Sequence, residues 1–188
     1  MSLIDNCQIL VFGGTGQLGK SLSPLIPNAF FPQHKELGLN SSIEDLKKYC
    51  LKNNIKKIIN CAAFTNVEHA EVLTEECFLV NAISLKKIAQ LCLELNIVFI
   101  HISTDYVFDG LKNIPYTEND VKNPLSSYGK SKSEGEDIII NSNCDYFIIR
   151  TSWLYSPYRN NFVKTMIKLL LSKEEINVVY DQRGAPTS

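Results

Sequence analysis

Residues 9–19 read Ile9-Leu10-Val11-Phe12-Gly13-Gly14-Thr15-Gly16-Gln17-Leu18-Gly19. The apolar run 7–12 predicts a buried β-strand, and a helix is expected over residues 16–25. Between them, Gly13 permits a tight turn, Gly16 lets backbone N–H groups approach a pyrophosphate, and Gly19 lets the helix pack closely on the sheet. The spacing G-x-x-G-x-x-G differs from the usual G-x-G-x-x-G, so a purely structural turn remains an alternative. The strand–turn–helix context favours a dinucleotide site.

The rest of the chain alternates short apolar runs with helical patterns. Strands are predicted at 29–31, 57–61, 97–102, 146–150 and 176–180, and helices at 41–53, 75–95, 126–141 and from 162 onward. Ser41 and Glu44 resemble a capping box at the start of the second helix. This alternation predicts an α/β fold, a Rossmann-like doubly wound parallel sheet with helices on both faces. Ligands bind such sheets at the carboxyl ends of the strands, here near Gly13 and Ser103.

Composition argues against several classes of function. The 188 residues include 19 Lys+Arg and 20 Asp+Glu, and the formal net charge of −1 removes the main electrostatic argument for binding nucleic acid or an acidic membrane. No apolar run approaches the ~20 residues that span a bilayer. The six cysteines form no Cys-x-x-Cys pair, so no metal site is expected. Since the start of the chain also lacks a signal-peptide pattern, we expect a cytoplasmic protein with reduced, mostly buried thiols.

Two further segments carry groups suited to proton transfer. Tyr128 and Lys132 lie four residues apart on a predicted helix and hence on one face, where an ammonium should lower the pKa of the phenol. Such a pair suits general acid–base chemistry on a carbonyl or alcohol, although a surface helix can contain it by chance. Ser103, Thr104 and Asp105 follow the fourth predicted strand, where a hydroxyl could bind the substrate oxygen. Capping of a helix or turn by these three residues is the alternative.

Taken together, five motifs resemble those of the extended short-chain dehydrogenase/reductases, and within them the dTDP-4-dehydrorhamnose reductases. The resemblance extends from residue 9 to residue 186. Its motifs are the glycine turn, Asn60-Cys61-Ala62-Ala63-Phe64-Thr65, Ser103-Thr104-Asp105-Tyr106-Val107-Phe108, Tyr128-x-x-x-Lys132 and Arg150-Thr151-Ser152-Trp153. Near the end of the sequence, residues 181–187 resemble the segment that follows these motifs in the family.

The resemblance implies that hydride passes from NADPH or NADH to the C4 ketone of a dTDP-linked 4-keto-6-deoxy sugar, giving dTDP-L-rhamnose from dTDP-4-dehydro-L-rhamnose. Tyr128 would donate the proton, Lys132 would hold the nicotinamide ribose, and Thr104 would orient the substrate oxygen. Asp105 and Trp153 would line the sugar site, although Trp153 can also be read as an aromatic residue that caps the core. The implied cofactor contacts are Gly13, Gly16, Gln17, Leu18, Gly19, Gly38, Leu39, Ala63, Phe64, Thr65, Ser103, Tyr128 and Lys132.

This sequence departs from the family pattern at the predicted second strand. Residues 32–35 offer no acidic side chain to bind the adenosine ribose. His34 or Lys35 could meet a 2′-phosphate there, or could lie in a solvated loop, so the choice between NADPH and NADH stays open. Gly38 stands where the family often has Asp, and Phe64 where it has Tyr.

The family also runs for roughly a hundred residues more, as the resemblance implies. We therefore expect residues 1–150 to form a cofactor-binding domain. Residues 151–188 would begin a substrate region that is largely missing, in a fragment or a truncated protein. The expected assembly is a homodimer. A non-catalytic role, resembling the regulatory subunit of methionine adenosyltransferase, is the alternative to an enzyme.

Overall fold

The computed structural model describes residues 8–182 and 184–188, so Cys7 of the first predicted strand and Arg183 lie outside the described residues. Its centre is a parallel sheet of four strands in the spatial order β1 (Ile9–Phe12), β2 (Lys57–Asn60), β3 (Val98–Thr104) and β4 (Tyr146–Thr151). Phe12 pairs with Asn60, and Asn60 pairs with His101. The first two strands therefore end level with His101, and β3 projects three residues beyond it.

The second predicted strand is reduced to a single parallel bridge between Phe30 and Leu10. It lies beside β1, with Phe30 N–H donating to the carbonyl of Ile9 and Val11 N–H donating to that of Phe30, both at 2.8 Å. Because the chain then returns to form β2 next to β1, the winding direction reverses at β1. The doubly wound parallel arrangement that the sequence predicted is confirmed.

Helices cover both faces of the sheet unequally. On one face, α2 (Ile43–Lys52), α5 (Ser84–Leu95) and α6 (Ser127–Ile140) enclose the main apolar core, which includes Leu10, Ile58 and Phe99 of the strands. On the other face, α1 (Gln17–Leu22) covers a smaller cluster built on Ile9, Val11 and Ile26. The helix α1 is shorter than expected because Pro24, which lacks a backbone N–H, follows shortly after Leu22.

Several predicted boundaries were wrong. The cap of α2 is Ser42 rather than Ser41, since Ser42 Oγ accepts from Asp45 N–H at 3.1 Å. The predicted helix 75–95 is α4 (Thr74–Phe78), a π-helical turn (Leu79–Ile83) and α5, and it is preceded by an unpredicted helix, α3 (Val67–Val72). The predicted last helix is confirmed as α7 (Phe162–Leu170).

The predicted strand 176–180 has irregular backbone instead. Its apolar residues Val178, Val179 and Tyr180 are exposed, and the burial that would favour a strand is therefore missing. The pairing beyond β4 involves a different segment, because Leu154 forms a parallel bridge with Thr187. The predicted domain boundary after residue 150 falls inside β4 and stays a prediction.

Candidate active site

A cleft of about 1050 Å³ opens at the carboxyl ends of β1, β2 and β3. Its volume matches the upper end of the range typical of ligand sites, ~300–1,000 Å³. The glycine turn, Leu39 and Tyr128 all line it. The cleft lies at the point where the winding reverses, as expected for ligand sites in doubly wound sheets.

The glycine turn is built by close backbone contacts. Gly13 has φ +79°, and a Cβ there would lie 2.6 Å from the backbone nitrogen of Ala62. Gly16 N–H closes the turn by donating to the carbonyl of Gly13 at 2.9 Å. A Cβ on Gly19 would collide with the carbonyl of Gly13, so Gly19 packs below the cleft rather than facing into it. Beyond Gly13 O at 3.1 Å, nothing among the described residues lies near a Cβ at Gly16, which leaves space for a ligand above it.

The side chain of Gln17 faces the segment after β4. Its Nε2 donates to Leu154 O at 2.8 Å, and its Oε1 accepts from Asn161 Nδ2 at 2.9 Å. Arg159 Nε also donates to Thr15 O at 2.8 Å. These bonds tie residues 154–161 across the glycine turn, so both polar atoms of the Gln17 side-chain amide are already bonded. Gln17 and Leu18 both line the cleft.

Most of the other predicted cofactor residues also lie in the cleft. Gly38 and Leu39 line it, and a Cβ on Gly38 would collide with the ring of His34, which lines the cleft beside it. Ala63 and Thr65 line the wall after β2. Phe64 differs, since the structure does not place it on the cleft surface. Its backbone N–H and carbonyl are bound by the side-chain amide of Asn81 at 2.8 and 3.0 Å.

The predicted catalytic residues come together at the end of β3. Thr104 ends β3, and its hydroxyl donates to Asp105 Oδ1 at 3.2 Å. Tyr128 lies in the first turn of α6, which Ser126 caps, and its ring packs edge-on against Tyr106 with centroids 5.6 Å apart. Lys132 follows one turn later, fully buried, and its Nζ donates to Ile102 O at 2.7 Å. All three residues line the cleft, together with Asp105.

The acid–base properties of this group differ from the sequence expectation. Burial raises the pKa of Tyr128 to about 12, with Asp105 acting in the same direction and a hydrogen bond with Thr104 opposing both. The expected lowering of this pKa by Lys132 was wrong, because the lysine nitrogen is directed at Ile102 and His101 instead. Burial lowers the pKa of Lys132 itself to about 8. Tyr128 therefore carries its proton at neutral pH.

Sequence reasoning missed a buried polar cluster beneath Lys132. Ser103, predicted as a cofactor contact, lines the cleft, and its Oγ donates to Glu136 at 2.6 Å. The same carboxylate pairs with Arg150 at 2.7 Å. Burial acts to raise the pKa of Glu136, but the bonds from Arg150 and Ser103 outweigh it and lower the pKa. His101 is the signal that could have revealed the cluster, because it interrupts an otherwise apolar strand.

Asn81 was missed for another reason. It lies in the π-helical turn, where the extra residue rotates its amide toward Phe64 and toward Ser131 Oγ, which accepts from Asn81 Nδ2 at 3.0 Å. Such turns are frequent at functional sites. A regular helical pattern over residues 75–95 does not reveal one.

Trp153 also lines the cleft, and it is 45% exposed with φ +47°. A Cβ on Gly184 would lie 2.6 Å from its ring, so the glycine permits the close approach. Positive φ in a bulky residue is uncommon and is found at sites that the surrounding structure constrains.

Within residues 8–182 and 184–188, no cluster of His, Cys, Asp and Glu could hold a metal ion. No helix in that described part of the chain is long and apolar enough to cross a membrane.

Comparison with known proteins gives relatives over nearly the whole chain. The chain is 38% identical over 186 residues to the dTDP-4-dehydrorhamnose reductase of Aggregatibacter actinomycetemcomitans. The matched region covers 96% of this chain and 63% of that protein. A crystal structure of the Clostridium acetobutylicum dTDP-4-dehydrorhamnose reductase matches with a TM-score of 0.88 at 39% identity. The Bacillus anthracis dTDP-4-dehydrorhamnose reductase, solved in complex with NADP, matches with a TM-score of 0.89 at 38% identity. Both structural matches cover 95% of this chain and 65% of the other.

The chain thus spans less than two thirds of the length of these relatives. The predicted Rossmann-like fold and the resemblance to dTDP-4-dehydrorhamnose reductases are confirmed by these matches. Residues 7–188 match the RmlD substrate binding domain family along almost the entire sequence. The chain therefore belongs to the RmlD substrate binding domain family.

Proposed function

We propose that this chain carries the cofactor cleft and the proton donor of an NAD(P)H-dependent reductase. The reaction would reduce the C4 ketone of dTDP-4-dehydro-L-rhamnose to give dTDP-L-rhamnose. The observation that carries the proposal is that one cleft brings the glycine turn together with Thr104, Tyr128 and Lys132. The relatives named dTDP-4-dehydrorhamnose reductase support the choice of substrate.

The residues present fit a dinucleotide. Gly13 and Gly19 allow backbone to pack tightly around the turn, and Gly16 leaves the space above it open, so N–H groups at the start of α1 can approach a pyrophosphate. Gly38, Leu39, Ala63 and Thr65 would line the remainder of the bound cofactor. A reduced nicotinamide would supply the hydride. The Bacillus anthracis relative was solved with NADP, which supports this assignment.

The chain's own residues would supply the proton. Tyr128, with a pKa raised to about 12, is protonated at neutral pH and can donate to an oxygen that gains negative charge during reduction. Thr104, on the same side of the cleft, would orient that oxygen through its hydroxyl. Lys132 would hold the ribose of the cofactor, and Asp105 and Trp153 would contact the sugar. A cytoplasmic location and a homodimer remain predictions from the sequence.

Cofactor preference is the least constrained part of the proposal. Residues 32–35 contain no acidic side chain, and His34 lines the cleft. We therefore expect the protein to accept NADPH alongside NADH, since a carboxylate that would repel a 2′-phosphate is missing there. Measuring kcat/KM with both cofactors decides this point. A preference for NADH above about a hundredfold, ~2.7 kcal/mol, would contradict it.

The proposal is tested in two steps. Binding of NADPH to this chain, measured by calorimetry, tests the cleft alone. Oxidation of NADPH in the presence of dTDP-4-dehydro-L-rhamnose, measured with the longest natural polypeptide that contains this sequence, tests the reaction. Binding without turnover in that polypeptide would favour the non-catalytic alternative, whereas loss of both would contradict the proposal.

A further inference from the structure

Three buried side chains form a continuous row beneath the cleft. Asn60 Nδ2, at the end of β2, lies 3.1 Å from His101 Nδ1 on β3. His101 Nε2 lies 3.0 Å from Lys132 Nζ on α6. Each of the three side chains belongs to a residue that is at most 1% exposed. Because solvent is excluded, each contact must consist of one donor and one acceptor.

The orientation of Asn60 is fixed by a backbone group. Ala62 N–H donates to Asn60 Oδ1 at 3.0 Å. A backbone N–H can only donate, so the amide oxygen must face Ala62 and the NH₂ group must face His101. An amide NH₂ can also only donate. His101 Nδ1 therefore has to be the acceptor, and it carries no proton.

The position of the second histidine proton follows. A neutral imidazole without a proton on Nδ1 carries it on Nε2, which points at Lys132. An ammonium group has no lone pair and cannot accept this bond, whereas a neutral amine can. The amine would still have two N–H groups, of which one donates to Ile102 O at 2.7 Å. We propose that His101 is a positioning residue that binds the neutral amine form of Lys132, through hydrogen bonds donated in the order Asn60, His101, Lys132.

The charges around Lys132 are consistent with this arrangement. The titratable groups that act on it are His101 from β3, Cys61 after β2, Cys77 from α4 and Glu136 from α6. Glu136, whose charge most strongly opposes the effect of burial on Lys132, is already paired with Arg150 and Lys122. Burial lowers the pKa of Lys132 to about 8, against the opposing effect of Glu136. Burial holds the pKa of His101 well below its ordinary value, and a charge on Lys132 lowers it further.

The arrangement couples two protonation equilibria. When Lys132 takes up a proton, it can no longer accept from His101, and either that contact or the Asn60–Ala62 bond is lost. The proton arrangement itself concerns only this chain's side chains. Its catalytic meaning rests on the proposed function, in which the charge on Lys132 would determine the pH range over which the Tyr128–Lys132 pair works.

Nitrogen NMR on the ligand-free chain tests the proposal without any activity measurement. The chain has only three histidines, His34, His69 and His101, so ¹⁵N-histidine labelling gives a simple spectrum, assigned with His34→Gln and His69→Gln. The measurement is made at about pH 9, above the Lys132 pKa of about 8. We expect His101 as the neutral ring with its proton on Nε2. A proton on Nδ1, a mixture of the two forms or a doubly protonated ring would overturn the proposal.

Asn60→Asp reverses the polarity of the row and sharpens the test. The carboxylate can still accept from Ala62 N–H, but its second oxygen accepts where the NH₂ donated. We expect the proton of His101 to move to Nδ1 and Lys132 to titrate at a higher pH, followed by its ¹³Cε resonance. Asn66→Asp, which adds the same charge at the exposed cap of α3, is the control and should change neither signal. A folded Asn60→Asp protein whose His101 keeps its proton on Nε2 would contradict the proposal. If Asn60→Asp does not fold, the wild-type spectrum alone decides.

Discussion

Two regions of the cleft, the glycine turn and the surroundings of Lys132, are built in different ways. The glycine turn is made of backbone from one continuous stretch, residues 13–19, and its shape depends on what side chains are missing. The region around Lys132 is made of side chains from β2, β3, α6 and β4, held by buried hydrogen bonds. The glycine turn is therefore sensitive to added volume and the region around Lys132 to altered charge. Each region can be tested by the change to which it should respond.

The largest effect is expected at the glycine turn. Gly16→Val places a branched side chain in the space above the turn, and NADPH affinity should fall by at least ~10³-fold, about 4 kcal/mol. The backbone at Gly16 has φ −74° and ψ 177°, which valine adopts readily, so the fold should persist. Calorimetry measures the affinity. Ser23→Val, which introduces the same side chain at the exposed end of α1, is the control, and its NADPH affinity should equal that of the wild type. Unchanged affinity in folded Gly16→Val would remove the cofactor from this turn.

In the region around Lys132, a change of charge should have the largest effect on stability. Glu136→Gln keeps the shape but removes the carboxylate that Arg150 and Ser103 bind, and leaves the guanidinium without its buried partner. We expect the free energy of unfolding to fall by ~3 kcal/mol, the lower end for a broken buried pair, because Arg150 is partly exposed. Urea unfolding at neutral pH measures it.

The neighbouring Asp137→Asn is the matched control for that change. Asp137 also pairs with Lys122, but its side chain is 56% exposed. Such a surface pair should contribute less than ~1 kcal/mol. Equal losses in Glu136→Gln and Asp137→Asn would show that burial does not distinguish the two carboxylates.

A smaller effect concerns the pH dependence of stability. The pKa of Lys132 falls from 10.5 to about 8 on folding, so between those values the unfolded chain binds a proton that the folded chain has released. The free energy of unfolding should therefore rise with pH in this window, by up to ~1.4 kcal/mol per pH unit. Lys132→Met removes this rise, while the thiols that titrate nearby are unchanged in both proteins. Urea unfolding of both proteins from pH 7.5 to pH 9 is the measurement. Parallel curves would mean that Lys132 is not perturbed by folding.

The same contrast explains how far sequence reasoning reached. The glycine spacing, the alternation of strands and helices and the Tyr128–Lys132 spacing are local patterns that the sequence displays directly. In the structure the glycine turn, Tyr128 and Lys132 line one cleft. The row Asn60–His101–Lys132 is formed by residues 41 and 31 positions apart, so no local pattern contains it. The strand predicted at 176–180 failed because an apolar composition was read as burial, whereas those residues are exposed.

The most direct test of the central claim is the turnover of Tyr128→Phe. The substitution removes only the phenolic oxygen and leaves the ring to pack against Tyr106, so NADPH affinity should be preserved. In the longest natural polypeptide that contains this sequence, kcat for reduction of dTDP-4-dehydro-L-rhamnose should fall by ~10²–10⁴-fold, the usual contribution of positioned proton transfer. Thr104→Val, which removes an orienting hydroxyl rather than the proton donor, should cost less. Turnover of Tyr128→Phe near that of the wild type would contradict the assignment of Tyr128 as the proton donor.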